Sequence, residues 1–215
     1  TAAVPNANLL TSLVAATLDE SLLPADGGDG VYTATVDVSA AFGTTAAGNY
    51  GTDGPGSTTY KVALAGADVG AGLYVLDTSN TTAGHVGQGA EIKLHDNGNG
   101  TVTGYYGGTD WASKTGTVFT ISVDNSGVVT FAYTNQADPV NIWHSNTSSS
   151  DEAATLHTAT ANQLLVTQTI TDADGDHASA SLDVGTLAFF QIQDSGPTAA
   201  VPNANLLTSL VAATL

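Results

Sequence analysis

The stretch HDNGNGTV, from His95 to Val102, sets the tightest limit on what this chain can become. Asn97-Gly98 and Asn99-Gly100 are residues that accept a positive φ, as a tight hairpin turn requires. On either side stand AEIKLHD (Ala90 to Asp96) and GTVTGYYG (Gly100 to Gly107), short runs rich in strand-forming residues. The same grammar recurs along the chain. VYTATVDV (Val31 to Val38), YKVALAG (Tyr60 to Gly66), GTVFTISVD (Gly116 to Asp124), GVVTFAYT (Gly127 to Thr134), ANQLLVTQTITD (Ala161 to Asp172) and ASASLDVGTLAFFQIQD (Ala178 to Asp194) each read as a strand. Asp124 to Gly127 reads as a second hairpin turn, and DADGD (Asp172 to Asp176) joins two long strands. Strands of this kind, spaced by Gly, Asn and Asp turns, predict an all-β antiparallel sandwich.

No segment keeps a 3.6-residue apolar period over three turns. NLLTSLVAATL near the start has helical Leu and Ala content, but Pro5 and the surrounding Thr and Val favour an extended arm. Three stretches read as loops: Ser21 to Gly30, Gly43 to Thr59, and Asn135 to Glu152. Hydrophobic residues form 42% of the chain, enough for a core, so composition does not predict disorder.

Residues 1–18, TAAVPNANLLTSLVAATL, recur letter for letter as residues 198–215, an offset of 198 − 1 = 197. An identical copy at a fixed offset is the mark of a tandem array. The expected organisation is a leading strand or linker at 1–18, one repeat unit at 19–197, and the start of the next repeat at 198–215. Gly196-Pro197 and Pro202 give the boundary its linker composition. Neighbouring repeats are therefore the expected partners of a monomeric unit. The repeated segment lacks a basic leader and is not read as a signal peptide.

Charge narrows the function. Three lysines and no arginine face twenty acids, for a net charge of −17. Nucleic acid is excluded as a partner, because phosphates need cations to neutralise them. An anionic membrane surface repels such a chain, and no stretch has the length of a membrane-spanning helix, so membrane insertion is not expected. Without cysteine there is neither a disulfide nor a thiolate zinc site. Repulsion of this size is best relieved by cations from solution, and hard divalent ions with oxygen ligands suit the acids present.

TDADGDHASASL carries the most specific signal. Asp172, Asp174 and Asp176 alternate around Gly175, so an extended or turning backbone sends their carboxylates to one side. Calcium takes about 6–8 oxygens at about 2.3–2.6 Å and tolerates irregular geometry. The EF-hand's closing Glu and flanking helices are missing. A second group joins Asp19 and Glu20 at the start of the unit to Asp194 at its end; in an array these would converge at each joint and let Ca2+ stiffen it. Asp26 and Asp29, Asp151 and Glu152, and Asp96 with Asn97 and Asn99 read as solvated or turn-forming residues. None of the five histidines has HxH or HExxH spacing, and none is read as a ligand. No nucleophile motif or phosphate loop appears, so no enzyme is expected. Trp111, Trp143, Tyr105 and Tyr106 read as packing residues, with a sugar-stacking platform as the alternative.

LDES, NGNGTVTG, TVFTISVDNSGVVTF, DEAATL and, above all, TITDADGDHASASLDVG and FQIQDSGP resemble the repeat units of giant repeats-in-toxin (RTX) adhesins of Gram-negative bacteria. The resemblance runs from about Asp19 to Pro197. It implies a bacterial immunoglobulin-like sandwich, enlarged here by long loops or extra strands, since 197 residues exceed a minimal unit. It further implies type I secretion, an extracellular, cell-surface-attached location, and a calcium-stiffened extender that holds an adhesive tip away from the cell in attachment and biofilm formation. Asp172, Asp174, Asp176, Asp194, Asp19 and Glu20 are the matching ligand positions. A glycan-binding module of the same kind of adhesin is the alternative. The glycine-rich nonapeptide run of the RTX calcium β-roll is absent from this sequence.

Overall fold

The computed structural model describes residues 14–20, 30–43, 50–145, 152–194 and 196. Among the described residues, twelve strands form in chain order: β1 (Ala16–Asp19), β2 (Thr33–Asp37), β3 (Pro55–Leu64), β4 (Val69–Leu76), β5 (Gln88–Asp96), β6 (Thr101–Tyr106), β7 (Gly116–Val123), β8 (Val128–Tyr133), β9 (Ala153–Thr155), β10 (Leu164–Asp172), β11 (His177–Asp183) and β12 (Phe190–Gln193). They make one six-stranded sheet, ordered β2-β8-β7-β6-β5-β4, and two three-stranded sheets, β11-β10-β3 and β1-β12-β9. Strand β3 packs over β5, β6 and β7, while β1 packs over β2 and β8. The two small sheets thus share the task of covering the large one, in a sandwich-like all-β arrangement.

Alternation explains the layering. Along β8, Val129, Phe131 and Tyr133 point inward; along β10, Leu164, Val166, Gln168 and Ile170 do so. Gln168 is the polar exception, and its amide donates to the Tyr60 hydroxyl at 2.7 Å. That bond meets part of the desolvation cost of burying an amide. Between the layers, Phe119 lies edge-on to Phe131 at 4.9 Å, and Phe131 lies 5.2 Å from Phe190. This aromatic chain ties β7 and β8 of the large sheet to β12 of a small one.

The predicted hairpins are present at β5–β6, β7–β8 and β10–β11. Three readings change. First, the run from Ala178 to Asp194 is two strands, because the Asp183 carboxylate accepts hydrogen bonds from the backbone N–H groups of Asn162, Gly185 and Thr186 and from the Thr186 hydroxyl. Those bonds hold a turn that ends β11. Second, VGAGLYVL, unremarked in the sequence, is strand β4; its Gly72 sits at φ +67° where an added Cβ would meet the His157 carbonyl at 2.7 Å. Third, among the described residues strand pairing is antiparallel except between β1 and β12, which run parallel, with Ala16 opposite Phe190 and Asp19 opposite Gln193. The second copy at 198–215, and all but Val14 to Leu18 of the first, lie outside the described residues.

Candidate functional site

The predicted acids gather at two places. The first is the turn between β10 and β11. Gly175 bends there with φ +103°, and its N–H donates to Asp172 Oδ1 at 3.1 Å. The Asp172 N–H closes the loop on the Asp176 carbonyl at 2.9 Å. Strand β3 pairs antiparallel with β10, and its register shifts by a bulge at Thr171–Asp172, placing Pro55 opposite Asp172. Gly56 allows that close approach, since a Cβ there would lie 2.3 Å from the Asp172 carbonyl oxygen. The result is that Asp53, just before β3, meets the turn.

Carboxylate oxygens of Asp53, Asp172 and Asp174 all lie within 4.8 Å of one another. Asp53 and Asp174 are exposed and Asp172 is half-buried. The Asp174 carboxyl is pushed above the ordinary aspartate range, first by a hydrogen bond shared with Asp172 and then by the charges of Asp172 and Asp176. Carboxylates this close repel one another, and a cation between them would relieve that crowding. Asp176 is not in this trio; it lines an adjoining cavity of about 150 Å³ with Tyr50, Gly51 and His177. Spacing within one segment pointed to Asp172, Asp174 and Asp176. Asp53 was missed because only the β3–β10 pairing, 119 residues away in sequence (172 − 53), brings it in.

The second place is where β1 and β12 end. The parallel register sets Glu20 beside Asp194, and the Glu20 N–H donates to the Gln193 carbonyl at 3.1 Å. The Asp194 N–H donates to the Glu152 carbonyl at 3.0 Å. So Glu20 and Asp194 lie side by side within one chain, whereas the sequence reading had the acids meet across a joint between units; the carboxylates of Asp19, Glu20 and Asp194 are not brought within ligand distance of one another as a group. Asp19 is 5% and Glu20 8% exposed, unusually low for acids. Glu20 Oε2 accepts the Ile142 N–H at 2.6 Å, and Oε1 lies 3.8 Å from His144 Nε2. Burial raises the Glu20 carboxyl above its usual range; His144 and the Ile142 amide pull it back down, and Asp194 adds a further upward push. Asp26, Asp29 and Asp151 lie outside the described residues.

The aromatic residues are engaged in packing. Trp111 has His95 stacked on it at 4.3 Å, almost parallel, and the Lys114 ammonium 3.9 Å from its ring centre. Trp143 donates its indole N–H to the Val86 carbonyl at 2.8 Å and meets Tyr74 edge-on at 6.0 Å. Tyr105 is fully buried.

Residues 15–185 match a family described as a domain of unknown function, DUF5801. The chain belongs to that family. The match begins one residue before β1 of this DUF5801 domain and stops two after β11. It therefore includes Asp19, Glu20 and the whole Asp53–Asp172–Asp174 cluster, and leaves β12 and Asp194 beyond it. No curated protein and no solved structure matches the chain. No described helix is long and apolar enough to cross a membrane.

Proposed function

We propose that this DUF5801 domain is a calcium-stabilised spacer module, one link in a tandem array that holds an adhesive tip away from a bacterial surface. The observation that carries the reading is the convergence of Asp53, Asp172 and Asp174, with oxygens within 4.8 Å, on a chain of net charge −17. Three hard oxygen donors on a glycine-bent turn suit Ca2+, with water completing the shell. The ion would lock the β10–β11 turn to the start of β3, elements 119 residues apart, and so stiffen the domain at the cost of no side-chain core. The 18-residue repeat supports the array, and the resemblance to RTX adhesin units supports the extracellular, type I-secreted setting and the role in attachment and biofilm formation. As a spacer the domain performs no catalysis.

The test is thermal unfolding with calcium and with EDTA. A ligand that binds only the folded state stabilises it by about 2.7 kcal/mol at a hundredfold excess over Kd. Calcium should raise Tm in the wild type and should do little in Asp174→Asn. Equal melting with calcium and with chelator would sink the proposal.

A further inference from the structure

The slot that β1 fills is small and specific. Ala16 and Leu18 are 1% and 0% exposed, so the slot offers two apolar pockets at alternate positions of one strand. Between them Thr17 is half-buried, and its hydroxyl donates to Gln191 Oε1 at 3.4 Å. The backbone is held by the parallel register of Ala16–Asp19 on Phe190–Gln193, with the Ala16 N–H donating to the Phe189 carbonyl at 2.8 Å. On its other side β12 pairs with β9, so β1 is an outer strand of that sheet. An emptied slot would uncover the pocket of Leu18 and leave a sheet edge open, which invites another strand to pair.

The chain carries a second segment with the same side chains. Ala213, Thr214 and Leu215 repeat Ala16, Thr17 and Leu18. A slot built from two pockets and a backbone ladder cannot tell the copies apart, and both can reach it. The first is tethered through β2, which starts fourteen residues after β1 ends (33 − 19). The second is tethered through β12 itself, with Ala213 twenty residues beyond Gln193 (213 − 193). Parallel strands need a connection of about a dozen residues or more, and this one is long enough. What separates the copies lies beyond the shared letters. The Asp19 N–H donates to the Val31 carbonyl at 2.8 Å, the Glu20 N–H to the Gln193 carbonyl at 3.1 Å, and Glu20 Oε2 accepts from the Ile142 N–H at 2.6 Å. Those three bonds fasten the first copy and make it the resident strand.

We propose that the outer edge of β12 is a strand-exchange site whose second occupant is residues 213–215 of the same chain. When the leading segment is withdrawn, Leu215 enters the pocket of Leu18, Thr214 faces Gln191, and the three-stranded sheet stays complete. The exchange uses no cation, so it stands or falls apart from the calcium reading.

The chain has no cysteine, so an introduced pair reports the contact without background. Neighbouring strands lie about 4.7–4.9 Å apart, within the span of about 4.4–6.8 Å between Cα atoms that a disulfide bridges. In the full chain, Gln191→Cys is combined with Thr214→Cys, and air oxidation is followed over time by non-reducing gel and peptide mass mapping. The control pairs Gln191→Cys with Thr208→Cys, which is nearer along the chain but six residues (214 − 208), or about 20 Å, out of register. The Thr214→Cys pair should close within single molecules, and faster than the Thr208→Cys pair. Leu18→Asp, which spoils the resident strand, should speed closure at least about tenfold, and Leu215→Asp should slow it by as much, since each puts a carboxylate where a buried Leu side chain belongs. If Leu18→Asp does not fold, the Leu215→Asp comparison decides alone. Closure no faster than with Thr208→Cys, closure indifferent to Leu215→Asp or to a folded Leu18→Asp, or bridges formed solely between molecules would overturn the proposal.

Discussion

Replacing Gly104 by alanine tests the packing that joins the layers. Gly104 lies in β6 directly opposite Phe119 of β7. A Cβ at this position would sit 2.5, 2.6 and 2.8 Å from three carbons of the Phe119 ring. Carbon atoms at rest keep about 3.5–4.0 Å apart, so the ring must recede by about 1 Å. It cannot do so alone. Phe119 is fully buried and rests against Phe131, which rests against Phe190 of β12. Overpacking of this kind costs about 1–3 kcal/mol. Restricting the unfolded chain by Gly→Ala returns about 0.4–1 kcal/mol. The balance is a loss of about 1–2 kcal/mol, and in a domain of this size each kcal/mol moves Tm by about 2–4 °C. Urea unfolding measures it, with the midpoint expected to fall and the slope to hold. The decisive comparison is a double-mutant cycle with Phe119→Leu, whose smaller side chain leaves room for the methyl. Gly104→Ala should cost markedly less in that background. An equal cost in both backgrounds, or a stabilised single variant, would refute the steric account.

Further outcomes follow from other contacts. Gly56→Ala should push β3 away from Asp172, and the calcium-induced rise in Tm should shrink relative to wild type. Asp183→Ala strips the acceptor from four donors at the end of β11, and chemical unfolding should show a loss of about 1–2 kcal/mol. Asp77, Asp110 and Asp124 have carboxyls held below the ordinary value of 3.8, chiefly by the hydroxyls of Ser79, Ser113 and Ser126. A depressed folded pKa contributes stability that is fully present above the unfolded value and lost as pH falls through the folded one. Melting temperature followed from pH 5 to pH 2 should therefore drop below about pH 4, and drop less in Asp124→Asn.

Local chemistry made much of this fold legible. Asn-Gly and Asp-x-Ser-Gly turns announce the β5–β6 and β7–β8 hairpins, because only certain residues tolerate the backbone those turns need. Apolar alternation marks β8 and β10 for the same local reason. What escaped reading depends on contacts far away in sequence. Strand β4 hides behind its glycines, since Gly70 and Gly72 are chosen by the neighbours they must admit, Glu91 and His157, and not by strand propensity. The split between β11 and β12 needs Asp183 to act as a four-fold acceptor, which composition alone does not disclose. The Asp172–Asp174 pair was legible from its spacing, yet its third member, Asp53, arrives only through strand pairing.

The parallel pairing of β1 with β12 has a mechanical consequence. In a parallel pair, the chain comes into β1 at one pole of the domain and leaves β12 at the other. A tensile load applied through the flanking segments then drags the two strands in opposite directions along their shared axis. The bonds linking Ala16–Asp19 to Phe190–Gln193 are loaded in shear and must fail together, instead of peeling open one at a time as in a hairpin pulled from its ends. Single-molecule extension should accordingly show one abrupt rupture per domain. A thread made of such links would hold its length under drag until that threshold is crossed.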